Sequence, residues 1–209
     1  MAHIPHLQRD KKLARILPAG QPRELRIKKH LHLHLVGSIM SQQLSTKVAD
    51  VFQQRFINLF EKANPGAADI LAVPYETLRS IGLSHAKATY VHAVCRFFLD
   101  EKVQDKQLHA LNNEAFIAYI TQIKGVGRWT AEMLLMFAMG REDVFAVDDL
   151  GIQQAMTRLY GLDAADKKQL KADMLRIAEK WKPYRTYACL YLWGWKDNAP
   201  PAVKKKSAK

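Results

Sequence analysis

Ile123-Lys124-Gly125-Val126-Gly127-Arg128-Trp129-Thr130-Ala131 is the stretch on which the reading of this chain turns. Two glycines one residue apart, set between helical patterns, give a tight hairpin whose backbone amides can point outward together with no side chain in the way. The next helix begins at about Arg128, and its positive N-terminal end adds to an anion site suited to a phosphate. A Gly-x-Gly pair by itself is equally a plain turn between two helices. The surrounding sequence has to decide.

Working outward, almost every stretch after residue 25 has a helical period. From Ser84 to Lys102 the apolar Ala88, Val91, Val94, Cys95 and Phe98 fall at three- and four-residue spacing, with Ser84 placed as N-cap. Val48 to Leu59, Glu114 to Ile123, Thr130 to Met139, Gly151 to Leu159, Lys168 to Trp181 and Tyr184 to Trp195 behave alike. Between them lie Asn64-Pro65-Gly66, Gly82, the hairpin glycines, Gly140, Gly161 and Lys182-Pro183, which stop helices and turn the chain. The spacing predicts an all-α protein of about eight to ten short helices. One run departs from the pattern. His30-Leu31-His32-Leu33-His34-Leu35 alternates as a strand would, yet continued to Ile39 it also suits a helix burying Leu31, Leu35 and Ile39. Exposed histidines on a helix are preferred over a metal site, since no acidic or cysteine ligand accompanies them.

The chain has 209 residues, 32 Lys+Arg against 20 Asp+Glu, and a net charge of +12, which points to a polyanionic partner and says nothing about fold. With 48% hydrophobic and 25% charged residues it reads as a globular protein, one domain or two small lobes sharing a core. Cys95 and Cys189 are too few and too far apart for a disulfide framework, a structural zinc site or a four-cysteine iron–sulfur cluster, and read as reduced, buried thiols. No apolar run is long enough to span a bilayer, and Met1 to Leu17 does not pattern as a secretory signal.

Past the hairpin, the apolar Val144-Phe145-Ala146-Val147 leads into Asp148-Asp149 and a new helical period from Gly151. Acidic residues at such a boundary are often N-caps, but two in a row leave one carboxylate for another task. Hairpin, intervening Met133 to Met139 helix and acidic boundary together resemble the helix-hairpin-helix (HhH-GPD) DNA glycosylase superfamily, and within it the alkylation-repair branch, DNA-3-methyladenine glycosylase II. The likeness runs from about Leu25 to Trp195. It includes Ser41-Gln42-Gln43-Leu44-Ser45, the hairpin through Ala131, Asp143-Val144-Phe145, Asp148-Asp149, and Trp181-Lys182-Pro183-Tyr184-Arg185 with Tyr187-Ala188 and Trp193 beyond. Ile81-Gly82-Leu83-Ser84 with Lys87-Ala88 looks like a degenerate second hairpin.

The resemblance implies a two-lobed helical fold with the active-site cleft between the lobes and without the N-terminal β domain of longer relatives. Residues 1–24 are then an extension contributing to the helical core, 25–198 the catalytic domain, and 199–209 a disordered basic tail. It implies that Asp149 is the catalytic carboxylate, because the family places that Asp three residues before an Ile, Val or Met, here Ile152; Asp148 is then the helix cap. Many alkylation members have Pro where this chain has Val147. Trp129 and Trp193 match aromatic positions of the base pocket, and Met133 and Leu150 stand where the family has tyrosines, so the pocket is expected to be more apolar. Lys124, Gly125, Val126, Gly127, Arg128 and Thr130 form the DNA-binding hairpin. The resemblance further implies that backbone carbonyls of Thr121, Ile123 and Val126 would hold a monovalent sodium or potassium ion near the phosphate. Gln42, Gln43 and Leu44 resemble the intercalating loop, with Leu44 the wedge and Gln43 facing the opposite base, although Leu44 equally suits an ordinary contact of the helix that follows.

Residue chemistry supports the role given to Asp149. Cleaving a base from its sugar builds oxocarbenium-like charge, which a fixed carboxylate stabilises while it orients or deprotonates a water. Stacking a cationic methylated base on indole adds a cation–π contribution of about 0.5–2 kcal/mol. Members that also cut the strand carry an amine nucleophile where this chain has Trp129, so a monofunctional enzyme is expected, without redox cofactor or iron–sulfur cluster. The partner is duplex DNA containing alkylated bases, reached by flipping the base out. The expected protein is a monomer, off the membrane and not secreted, cytoplasmic and nucleoid-associated in a bacterium or nuclear in a eukaryote. Two alternatives stand beside it: a same-fold glycosylase for deaminated or oxidised bases, and a non-catalytic hairpin module in which Asp149 only caps.

Overall fold

The face predicted from Ser84 onward is the one the fold buries. Ser84 caps a helix over His85–Asp100, accepting the Lys87 N–H at 3.3 Å, and Ala88, Val91, Val94, Cys95 and Phe98 all lie inside. Burial pushes the Cys95 thiol up to about 12, so it carries no thiolate at neutral pH. The computed structural model describes residues 2–17, 24–42, 44 and 46–198, with no β-strand among them. The helices are α1 His3–Leu7, α2 Leu31–Ser41, α3 Thr46–Ile57, α4 Ala67–Ala72, α5 Tyr75–Ser80, α6 His85–Asp100, α7 Asp105–Ala110, α8 Asn113–Ile120, α9 Arg128–Phe137, α10 Leu150–Tyr160, α11 Lys167–Ala178 and α12 Arg185–Asn198. Short 3₁₀ turns cover Leu13–Ile16 and Glu179–Trp181. That is more than the eight to ten expected, because five- and six-residue helices such as α1, α4, α5 and α7 end before an apolar period can repeat. The predicted tail, 199–209, lies outside the described residues.

The chain divides into two units, one of residues 25–144 and one joining 1–24 to 145–209. The division falls inside the 25–198 span read as one domain. The crossing is the apolar Val144-Phe145-Ala146-Val147 and has no Gly, Pro or Ser, so composition does not mark it.

In the 25–144 unit the histidine run is helical. α2 buries Leu31, Leu35, Val36, Ile39 and Met40. Its start is fixed from far along the chain: His30 takes the left-handed conformation, φ 62°, and the N–H groups of His30 and Leu31 donate to the Asp105 carboxylate at 2.7 and 3.1 Å. His30 is exposed as predicted, but His32 and His34 are half-buried, and the His32 ring pairs with the Pro65 carbonyl at 3.0 Å. No cluster able to hold a metal ion occurs among the described residues, nor any helix long and apolar enough to cross a membrane.

In the other unit the N-terminal segment is part of the core. Leu7 and Leu13 are fully buried, and His3 stacks on Tyr187 at 3.8 Å between ring centres. Trp181 lies edge-on to Phe145 and donates its indole N–H to Asp10 at 3.1 Å. Cys189 of α12 is also buried.

Candidate active site

The hairpin is built as its glycines demand. After α8 the chain closes a turn with Val126 N–H on the Ile123 carbonyl at 3.0 Å, and both side chains point inward. Gly125 has φ 92°, and a Cβ there would meet the Tyr90 ring at 2.2 Å, so no side chain is admissible on two counts. Gly127, the N-cap of α9, differs: a Cβ would find nothing within 4 Å, and no side chain caps the helix start. Space stands open over that positive helix end.

Two hairpin side chains have partners within the chain, one at the surface and one buried. Arg128, expected among the phosphate contacts, forms a two-bond pair with Glu114 at 2.7 and 3.1 Å and a further bond to the buried Glu132 at 3.0 Å. The Glu114 hydrogen bonds raise its pKa above the ordinary guanidinium value. Thr130 is buried, and its hydroxyl accepts the Gln42 amide at 3.3 Å. Lys124 and Arg128 are both exposed, Arg128 with its guanidinium paired to carboxylates.

Gln42 correspondingly turns toward the hairpin, its side-chain amide near the Gly125 carbonyl, 3.4 Å, as well as Thr130. Gln43 lies outside the described residues. Leu44 is half-buried, with its N–H on the Ser41 carbonyl at 3.1 Å. Lys87, noted in the sequence only as part of a motif, holds this turn: its ammonium donates to the Met40 and Gln42 carbonyls at 2.9 and 2.7 Å, satisfying the C-terminal end of α2.

On the α9 side, Trp129, Met133 and Phe137 recur one turn apart and form one wall of a cavity of about 440 Å³, opposite His34, Ser38 and Gln53. Trp129 is 38% and Phe137 43% exposed, unusual for large apolar side chains unless something covers them. Phe137 was missed in the sequence, although its i+4 spacing from Met133 is visible there.

In the second unit Asp149 itself is the N-cap of α10. One carboxylate oxygen, Oδ1, accepts the Ile152 N–H and the Trp193 indole N–H, each at 2.8 Å. Asp148 is therefore not the cap; the first helical residue is Leu150, which leaves the capping position to Asp149, and Asp148 forms an ion pair with Lys171. Gly151 makes this arrangement possible, since a Cβ there would lie 3.1 Å from Asp149 Oδ1 and 3.1 Å from the Trp193 ring. The one signal for it was a glycine in the first turn of a helix, where most residues would serve better. Val147, in place of the expected proline, is held through its carbonyl by the Gln153 amide at 2.9 Å. Leu150 is 66% exposed and packs little within the chain, whereas Trp193 is half-buried with its N–H committed to Asp149.

A glycine hairpin opening onto a helix start, followed by an Asp-capped helix, is the arrangement of a helix-hairpin-helix DNA repair protein. The sequence pattern of the HhH-GPD superfamily of base excision DNA repair proteins matches residues 36–181, and the chain belongs to that family. It is 32% identical over 185 residues to DNA-3-methyladenine glycosylase 1 of Schizosaccharomyces pombe, covering 88% of this chain and 80% of that protein. Among solved structures it is similar to the S. pombe 3-methyladenine DNA glycosylase in complex with abasic DNA, with TM-score 0.83, 30% identity, and 95% and 98% of the two chains covered. The DNA-3-methyladenine glycosidase of Bacillus halodurans superposes with TM-score 0.80 at 34% identity, covering 95% and 90%.

Proposed function

We propose that this chain is a monofunctional DNA glycosylase that flips alkylated purines of the 3-methyladenine and 7-methylguanine type out of duplex DNA and hydrolyses the N-glycosidic bond, leaving an abasic site. The observation that carries the reading is the Asp149 carboxylate, oriented through Oδ1 by one backbone and one indole N–H. A carboxylate with a fixed direction stabilises the positive charge that builds on the deoxyribose and orients the attacking water, the preorganisation on which such catalysis depends. Trp129 and Met133 offer stacking and apolar surface to the flipped base, and Trp129 supplies no amine for a Schiff base, so no strand cleavage follows. Lys124 and the bare end of α9 at Gly127 receive a phosphate, while Gln43 and Leu44, on the turn that the Gln42 side chain ties to the hairpin, fill the gap left by the base. The carbonyls of Thr121, Ile123 and Val126 are the hard oxygens assigned to a monovalent cation; the Ile123 carbonyl already accepts one N–H and keeps one lone pair for it. The cation would supply positive charge between turn and phosphate. The reading needs no redox cofactor and describes a monomer acting on chromosomal DNA, in a bacterial cytoplasm or a eukaryotic nucleus.

The Ile152 N–H bond favours a second reading, a DNA-gripping module in which Asp149 is a cap alone. Asp149→Asn separates the two. Under catalysis, release of 3-methyladenine from methylated duplex falls by about 10²–10⁴ while DNA binding persists; unchanged release by the variant would sink the catalytic role. Borohydride trapping of a stoichiometric protein–DNA adduct would overturn the monofunctional assignment.

A further inference from the structure

The unit joining residues 1–24 to 145–209 has a second cavity, of about 550 Å³, that the glycosylase reading does not use. His6, Arg9, Lys11, Lys12 and Lys180 lie around it with one carboxylate, Asp10. That carboxylate is fully engaged. Its Oδ1 accepts the N–H groups of Lys12 and Leu13 at 3.0 and 3.1 Å, and its Oδ2 accepts the Tyr160 hydroxyl at 2.8 Å and the Trp181 indole at 3.1 Å. Burial works to raise the Asp10 carboxyl, but these bonds outweigh it and hold it below the usual carboxylate value. Asp10 thus anchors the N-terminal turn to α10 and the Trp181 segment, with two donors on each oxygen.

The cations are held open. Lys12 is fixed by the Tyr160 carbonyl at 2.8 Å and lies over that ring. The side chains of Arg9, Lys11 and Lys180 make no hydrogen bond or ion pair among the described residues. The far wall is tied down separately, the His6 ring pairing with the Lys180 carbonyl at 3.2 Å. Like charges gathered around a concavity repel one another, and the field there is focused on whatever anion enters. A flat, solvated lysine face would have neither the concavity nor the anchored walls. Tyr160 and Ile177 add an aromatic and an aliphatic surface beside the charge, and the volume lies within the ~300–1,000 Å³ common for small-ligand sites.

We propose that this pocket is a phosphate-binding site, with Arg9, Lys11 and Lys180 as its charged donors and Lys12 prepositioned beside them. The same chemistry is offered by a free nucleotide and by the backbone of a DNA strand. Neither depends on Asp149, so the site stands or falls independently of the catalytic reading.

The test is amide NMR of the full chain, titrated separately with inorganic phosphate, adenosine monophosphate and an undamaged duplex. Wild type is compared with the triple variant Arg9→Gln/Lys11→Gln/Lys180→Gln. Saturable shifts at residues 9–12 and 180 are expected with phosphate, with affinity at least tenfold lower in the variant. If DNA is the source, the slope of log affinity against log salt for the duplex becomes shallower by about two to three in the variant, near 0.9 per lost contact. If a nucleotide is the source, the variant loses nucleotide binding and keeps the duplex slope. Wild-type shifts that stay linear with all three probes overturn the proposal, and so do shifts of equal affinity in the variant; the wild-type titration decides even if the variant folds poorly.

Discussion

Two hairpins in the 25–144 unit have nearly the same backbone and different caps. Between α5 and α6, Gly82 has φ 112°, Leu83 is buried, and Ser84 caps in the extended region. Between α8 and α9, Gly125 has φ 92°, Val126 is buried, and Gly127 caps in the same region. The difference lies at the cap. Ser84 closes its helix with its own hydroxyl, and Lys87 in the next turn points inward to the end of α2. Gly127 places nothing over α9, and Lys124 faces out. One motif thus ends once in a helix closed by its own hydroxyl and once in a helix start left without a side-chain cap, and a single residue at the cap makes the difference.

The comparison is broken most severely at the glycines. Gly125→Ala sets a methyl on the Tyr90 ring in a left-handed conformation, and a loss of about 4 kcal/mol in denaturant unfolding is expected from overpacking and backbone strain together. Gly82→Ala shares the conformation but meets the edge of Phe52 at 3.0 Å, so about 2 kcal/mol is expected. Equal losses at the two sites would show that backbone strain alone matters and that the Tyr90 contact is irrelevant.

Lys87 comes next. Two charge-assisted bonds to the end of α2, discounted for a partly solvated ammonium, predict a loss of about 1–2 kcal/mol for Lys87→Met. Because these bonds hold the Gln42–Leu44 turn, KM for methylated duplex should rise several-fold with kcat nearly kept, and Lys87→Arg should restore part of it. A fall in kcat with unchanged KM would mean that Lys87 acts on the chemistry and not on the turn.

Gly127→Ala sharpens the functional half. The methyl meets nothing, so stability should change by less than about 1 kcal/mol, the difference between glycine and alanine at an N-cap. Duplex affinity at fixed salt should fall about tenfold, the worth of one obstructed phosphate contact of about 1.4 kcal/mol. Unchanged affinity would remove the hairpin from the DNA interface.

How legible each feature was depended on how local its cause is. The α6 face was readable because sixteen residues repeat one period, and the Gly-x-Gly hairpin because its conformational demand is written in its own residues. The start of α2 was not, since its cap is Asp105, far along the chain. Asp148 and Asp149 both suit a cap, and only the first helical residue, Leu150, separates them. The Arg128–Glu114 pair was not readable because Glu114 is remote, although Glu132 at i+4 was visible as a partner. The Asp149–Trp193 bond joins residues with no sequence relation, and Gly151 was its one local trace.

The smallest expected effect is Ser84→Ala. Removing the hydroxyl takes away the acceptor of the Lys87 N–H, and about 0.5–1 kcal/mol of stability should go with it, a few degrees or less in Tm for a chain of this size. The exposed position lets water replace the lost bond, which keeps the effect at the low end. Duplex affinity should not move, because this helix start is closed by a side chain of its own and Lys87 beside it is spent on the end of α2. A measurable loss of DNA binding by Ser84→Ala, at salt where Gly127→Ala also loses it, would show that both hairpins face the duplex and that the cap residue does not distinguish them.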